Sequence, residues 1–543
     1  MAAIVSALDM KNSIQYGENN HIEYSWSKVQ QEKICQLYFQ LVRTDDIQKV
    51  KKLKKEFNKM YNDGDKDVKL LMLKIIANTR DIDEGKGEYA LSLELLDELM
   101  NIDEEVGMEM LKMFIGFKNI NKPFGSWKDL KYYMNIRKNN KKENRDMLIN
   151  IYVEQMKYET IDENNSLVWK WSPREKSKKF GWIFELIAKK YFFEFGIYEW
   201  NVNAKNKAKT HLRQLISRKN RLLDTTQIKQ CNRRWEEINF NNVTSVTMMK
   251  QKNAFLNMRN VDSVDRNECK KNLLNYMDDV KNGKKEMKGK NVGIIDFVRQ
   301  ALHCSSSEEK DIINEQWNSN SKSNKKLGDI IALVDVSGSM ENDNMNPLLS
   351  AIGLGCRVAE KSKLGKRVLT FTATPSWVNL DDCNNFVDMV NKIRDIPWGM
   401  NTNFHKALDL ILDTIIELKM EASEVENLVL GVFSDMQFDV ADDGSDSYTK
   451  TVREILEKKY KDAGMKICGK PYKVPKIIFW NLRCMDGFPV LSYHDGYAMM
   501  SGYSPNALNE FSEEGNLQSF TPWNVMMKTL NKERYNNLSE LLE

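Results

Sequence analysis

Histidine is scarce in this chain and cysteine is scattered. There are five histidines and eight cysteines, at 35, 231, 269, 304, 356, 383, 468 and 484, with no C-x-x-C pair and no histidine at zinc-finger spacing. That excludes a zinc ribbon or a disulfide framework and predicts the reduced, mostly buried thiols of an intracellular protein. No apolar run approaches the ~20 residues of a membrane span. The opening MAAIVSALDMKNS carries no basic leader, so we expect no secretory signal. The expected location is cytoplasmic or virion-associated, with no membrane contact. Enzyme signatures are missing too. GKGE and LGKRV lack the upstream glycine and following Ser/Thr of a phosphate loop. DVSGSM is not G-x-S-x-G, and no histidine stands in triad order.

What is present describes an ordered chain of two or three domains: 543 residues, 41% hydrophobic, with only ten prolines. Charge divides unevenly along it. Residues 1–326 carry a net +13 and residues 327–543 a net −9, and the window 201–260 holds 13 basic residues against 3 acidic. Within it Lys207, Lys209, Arg213, Arg218, Lys219, Arg221, Arg233 and Arg234 stand near His211 and Trp235. Such a basic face with an aromatic suits a surface that tracks phosphates and stacks bases. A solvated helix face and a half-buried packing tryptophan give the same pattern.

The texture changes once along the chain. Through 28–305 the apolar residues recur at three and four, as in VQQEKICQLYFQLV and YALSLELLDELM, which predicts helix after helix in a bundle, HEAT-like array or α-solenoid. Residues 1–27 read as an N-terminal extension and the polar 306–328 as a linker. The loop RDIDEGKGE, with Arg80, Asp81, Asp83, Lys86 and Glu88, reads as helix capping and ion pairing. From 329 to 543 continuous apolar strands (DIIALVD, NLVLGVFSD, PKIIFWNLR) alternate with amphipathic helices. That predicts a doubly wound, mainly parallel α/β domain covered on both faces.

In such sheets ligands sit at the carboxyl ends of the strands. The strand DIIALVD ends in Asp335, followed by Ser337 and Ser339; NLVLGVFSD ends in Asp435; Thr402 lies in a Gly/Asn loop between them. These five oxygen-bearing side chains suit Mg²⁺ or another divalent cation. A turn and helix cap would explain the first loop alone. His405 falls in the first turn of the helix after Thr402, and Asp439, Asp442, Asp443 and Asp446 read as an exposed acidic loop.

The order D-x-S-x-S, Thr, Asp resembles the metal-ion-dependent adhesion site of von Willebrand factor A domains. The resemblance implies that Ser337, Ser339 and Thr402 bind the ion directly or through water, that Asp335 and Asp435 hold it, and that a partner's acidic group completes it. Met400-Asn401 before Thr402 departs from the second glycine of many relatives. A helical half joined to such a domain is similar to the TROVE proteins, whose helical repeats bind RNA. TRDIDEGKGE, GSWKDLKYY, KWSPREKSKK, NVTSVTMMKQKNAF, FWNLR and YAMMSGYSPNAL look closer still to an uncharacterised family of A-domain proteins from plants and large DNA viruses. We therefore expect a non-enzymatic scaffold: a helical half binding RNA or a ribonucleoprotein, and a C-terminal domain binding a protein through Mg²⁺. A module that binds proteins alone is the alternative, and a metal-dependent hydrolase a minor one.

Overall fold

A computed structural model describes residues 14–139, 142–161, 167–193, 202–396, 399, 402–440, 450–512 and 520–543. Fifteen α-helices lie between Gln30 and Ser321 among these residues. The first seven are α1 (Gln30–Gln40), α2 (Ile47–Asp63), α3 (Lys66–Arg80), α4 (Tyr89–Ile102), α5 (Glu104–Ile115), α6 (Trp127–Ile136) and α7 (Lys142–Ile161). The other eight are α8 (Val168–Trp171), α9 (Gly181–Phe193), α10 (Val202–Leu222), α11 (Thr226–Cys231), α12 (Ser245–Phe255), α13 (Val264–Lys281), α14 (Ile294–His303) and α15 (Ser307–Ser321). Caps set their starts as the residue types predict: Asp46 accepts from the amides of Gln48 and Lys49, and Asp65 from that of Val68. None of the helices among the described residues is long and apolar enough to cross a membrane.

The C-terminal half is an α/β unit on a six-stranded sheet. Its strands are β3 (Ile330–Asp335), β4 (Arg367–Phe371), β5 (Ser376–Asn379), β6 (Val429–Ser434), β7 (Lys476–Asn481) and β8 (Tyr497–Ser501), in the order β5-β4-β3-β6-β7-β8. All neighbours are parallel except β4 and β5, which form an antiparallel hairpin within the stretch 367–379. Every residue of β3 is buried, as an unbroken apolar run requires of a strand covered on both faces. Helices α16 (Asn346–Lys361), α17 (Phe386–Arg394), α18 (Phe404–Glu417), α19 (Ala422–Asn427), α20 (Val452–Ile467) and α21 (Pro522–Leu530) complete the unit. The chain ends in a 3-10 helix, Glu533–Leu542.

Two segments differ from the sequence expectation. The first is the N-terminal extension, whose residues 14–24 form the hairpin β1 (Ile14–Tyr16) and β2 (Ile22–Tyr24). It docks on the distant C-terminal half, where Tyr24 and Phe488 exchange backbone hydrogen bonds of 2.9 Å. The second is the stretch read as a linker, most of which is helix α15 with Ile312, Ile313 and Trp317 wholly buried. Trp317 stacks on Phe386 with ring centroids 3.7 Å apart, and the buried Arg357 guanidinium lies 4.0 Å over the same indole. Arg357 also donates to Asn320 and Asn324, both at 3.0 Å. The asparagines that made this segment look like a linker are buried because their amides are hydrogen-bonded.

One apolar core runs without a break from the helices into the sheet, and a second surrounds Phe240, Phe255, Leu273 and Ile312. The RDIDEGKGE loop forms ion pairs as expected, but it does so as a joint between the halves. Arg534 clasps Asp81 through two hydrogen bonds of 2.6 and 2.8 Å, and the Tyr535 hydroxyl donates to the same carboxylate at 3.0 Å. Lys86 reaches across to Ser501 at the end of β8. Arg80 pairs with Asp129 at 2.7 Å and Glu88 with Arg43 at 2.8 Å.

Candidate metal centre

The strand order decides what meets at the carboxyl edge of the sheet. Because β3 and β6 are neighbours, Asp335 and Asp435 stand side by side although 100 positions separate them. The chain turns sharply after β3: the Ser337 amide donates to Asp335 Oδ1 at 2.9 Å, and Gly338–Glu341 form one 3-10 turn. That turn brings the Ser337 and Ser339 hydroxyls to 3.1 Å from each other. Ser337 also bridges in parallel to Gly399, so the loop holding Thr402 lies against the serine loop. Thr402 is buried and its carbonyl accepts from Asp439 at 2.9 Å, while the next residue, Asn403, donates to Thr372 at 3.0 Å. Residues Met400 and Asn401 lie outside the described residues, as do Asp442, Asp443 and Asp446. Asp439 accepts from Asn19 of the N-terminal hairpin at 3.2 Å.

Both aspartates are fully buried. Burial pushes the Asp335 carboxyl above its ordinary range and the neighbouring Asp435 raises it further. Burial also raises Asp435, with the Arg483 guanidinium and the Gln437 amide opposing it. Two partners here escaped sequence reasoning. Ser434 donates to Asp335 Oδ2 at 2.5 Å and Arg483 to Asp435 Oδ2 at 3.3 Å. Their only trace in the sequence is their place in the strand endings FSD and NLR.

This donor set fits a small hard cation. Two buried carboxylates lie side by side, Arg483 pairs with Asp435 and with Glu18, and Asp335 has no cationic partner of its own among the described residues. The remaining donors are hydroxyls, and Ser339 and Gly338 leave the rim open to solvent. No group of three or more His, Cys, Asp or Glu that could hold a metal occurs among the described residues.

The predicted nucleic-acid residues separate into two sets. On α10, Lys209 pairs with Glu185 at 3.2 Å, Arg213 with Glu175 at 3.2 Å, and Lys219 donates to the Glu159 carbonyl at 3.2 Å. Arg234 pairs with Glu237 at 2.7 Å, in a turn that follows α11. Lys207, Arg218, Arg221 and Arg233 are exposed and make no ion pair among the described residues. At 100° per residue, Lys207, Arg218 and Arg221 fall on one face of α10. Trp235 is half-buried under the Arg266 guanidinium, 3.9 Å from its ring centroid, as a packing residue.

A family profile described as a domain of unknown function (DUF7788) matches residues 329–540. An uncharacterized protein, L728, of Acanthamoeba polyphaga mimivirus is 28% identical over 502 residues, covering 87% of this chain and 81% of the viral protein. The likeness therefore takes in the helices and the α/β unit together.

Proposed function

We propose that this chain is a binding scaffold in which the C-terminal unit, a von Willebrand A-type domain, recruits a protein partner through Mg²⁺ or a similar divalent cation. The observation that carries the reading is the pair of buried carboxylates, Asp335 and Asp435, beside two hydroxyls 3.1 Å apart. Ser337, Ser339 and Thr402 would hold the ion and Asp335 and Asp435 would balance its charge. Bound there, the cation supplies a positive centre for an acidic group of the partner. Ser434 and the Ser337 amide fix the Asp335 carboxylate from two sides, and Arg483 fixes Asp435. The site thus keeps its shape while its rim, at Ser339, faces solvent. Hydroxyl-rich ligation with few carboxylates favours recognition over hydrolysis, which draws on more anionic ligands.

For the helical half we propose binding to RNA or a ribonucleoprotein, supported by the exposed cations along α10. The ion pairs of Lys209, Arg213 and Arg234 favour the alternative, a surface for protein alone. The metal reading is tested by thermal unfolding of the full chain with Mg²⁺ or with chelator. Mg²⁺ raises the melting temperature of the wild type through binding to the folded state, and Asp335→Ala and Asp335→Asn lose that rise while keeping the native circular dichroism. An undiminished rise in both variants would place the cation elsewhere.

A further inference from the structure

Two segments of the helical half, 125–136 and 170–180, fold against each other and concentrate lysines on aromatic rings. Tyr132 of α6 meets Phe180 edge-on at 5.1 Å, and Tyr89 at the start of α4 meets Tyr132 edge-on at 5.6 Å. Lys128 Nζ lies 4.9 Å from the Tyr89 ring centroid and 5.2 Å from that of Tyr132. Lys131 lies 5.0 Å from Trp171 and 5.4 Å from Phe180, and Lys179 lies 5.1 Å from Tyr132.

These cations lack direct ion pairs among the described residues: Lys128, Lys131, Lys170 and Lys179 form none. The two carboxylates nearest in sequence are already engaged: Asp129 is buried against Arg80 and Glu175 faces Arg213. Crowding is visible in the lysines themselves. Burial, then Lys128 and Arg174, push Lys131 down to about 8, and burial, opposed by Asp129 but helped by Lys250 and Arg80, lowers Lys128. A cleft of about 810 Å³ continues from Tyr89, Tyr132 and Lys179 to the exposed Lys51 and Lys55; its wall also carries Asp45 and the Lys54-paired Glu94 and Glu98.

We propose that this surface binds single-stranded nucleic acid, with the lysines on the phosphates and Tyr89, Tyr132 and Trp171 as stacking faces for bases. The inference rests on the reading that the helical half engages nucleic acid, and it places the contact here instead of on α10. A lysine over a ring blocks that face in the free chain, and moving it onto a phosphate uncovers the ring for a base. Only unstacked bases can use such faces, because a duplex keeps its bases stacked and offers its backbone. Charge alone would serve an acidic peptide as well, but the alternation of rings and cations matches the alternation of base and phosphate.

The test is fluorescence anisotropy of labelled single-stranded RNA and DNA with the full chain across a salt series. Duplex RNA, polyglutamate and phosphatidylserine vesicles serve as competitors. Lys128→Glu/Lys131→Glu/Lys179→Glu weakens binding at least tenfold and flattens the salt slope by about 2, at ~0.7 per lost phosphate contact. Tyr132→Leu/Trp171→Leu weakens it about fivefold or more with an unchanged slope, since stacking contributes ~1–3 kcal/mol per base. The Lys→Gln forms of the same lysines and photocrosslinking of the wild type report on the site where charge reversal impairs folding. Crosslinks confined to α10, or full binding by the triple variant alongside loss in Lys207→Glu/Arg218→Glu/Arg221→Glu, would overturn the inference and leave the reading standing. Absence of any salt-dependent binding by the wild type would overturn the reading itself. Competition by duplex, polyglutamate or vesicles as strong as by single strands would overturn the stacking role.

Discussion

Lys86 is the most exacting place to test the joint between the two halves. Its ammonium is buried and donates to the Tyr38 and Leu41 carbonyls at 2.5 and 3.2 Å and to the Ser501 hydroxyl at 2.6 Å, with the Tyr38 ring 4.0 Å below it. Burial, opposed by Glu88, pushes its pKa from 10.5 down to about 7. A drop of that size corresponds to about 5 kcal/mol at 1.36 kcal/mol per tenfold change in proton affinity. The unfolded chain binds the extra proton between pH 7 and 10.5, so Lys86 makes stability rise with pH across that window and adds no slope below it. In Lys86→Met the slope disappears and the three oxygens lose a donor, a loss of about 1–3 kcal/mol. Tyr38 keeps one donor, because Ser501 also reaches its carbonyl at 3.0 Å. The variant is therefore the more stable protein near pH 7.5, by about 1–3 kcal/mol, and the less stable one above pH 10. Thermal unfolding of both proteins at a series of pH values measures this, at about 1 °C per kcal/mol if the whole chain melts as one unit. Every other titrating group is common to the two and cancels. Parallel curves without a crossing would refute the reasoning, because they would mean that three acceptors keep the ammonium charged despite its burial.

The other predictions concern the same architecture. Arg534→Leu leaves the buried Asp81 carboxylate without its cation and costs about 3–5 kcal/mol; adding Asp81→Asn recovers part of the loss, and a double-mutant cycle showing no coupling would contradict the geometry. Trp317→Ala destabilises by about 3–5 kcal/mol in denaturant unfolding, whereas an unstructured linker would tolerate the change within about 0.5 kcal/mol. His494 accepts from the Leu491 amide at 3.0 Å, and burial followed by Arg453 pushes its pKa down to about 3. It therefore stays neutral in the folded chain while the unfolded chain takes up a proton below pH 6.5, and stability falls as the pH falls from there towards 3. His494→Asn shows a shallower acid limb in the same melting series; an identical limb would mean that His494 titrates normally.

The two strands that carry the aspartates were legible because an unbroken apolar run ending in a carboxylate has few other uses in an α/β domain. Their adjacency was not, since sheet order is set by packing, and with it went Ser434 and Arg483, which reach the aspartates across strands. Polarity misled in the stretch 306–328, where Asn320 and Asn324 are buried through hydrogen bonds that no spacing reveals. It misled differently in the window 201–260. Counting charges there ignored Glu175 and Glu185, which lie outside the window and neutralise Arg213 and Lys209. The lysine-and-aromatic surface was visible only as two separate phrases, GSWKDLKYY and KWSPREKSKK, until the fold put α6 beside the turn before α9.

The N-terminal hairpin sets a condition on how this chain is made. Its strand β2 takes its backbone partner from Phe488, 464 positions later. At about 5–20 residues per second on the ribosome, roughly 25–90 s pass before that partner is synthesised. For that interval Tyr24, buried in the finished fold beside His494 and Phe488, lacks the surface it packs against. Release from the ribosome, or a chaperone holding the first thirty or so residues, therefore becomes a step in assembly, and a nascent chain stalled short of Phe488 leaves this edge open to pairing with other chains.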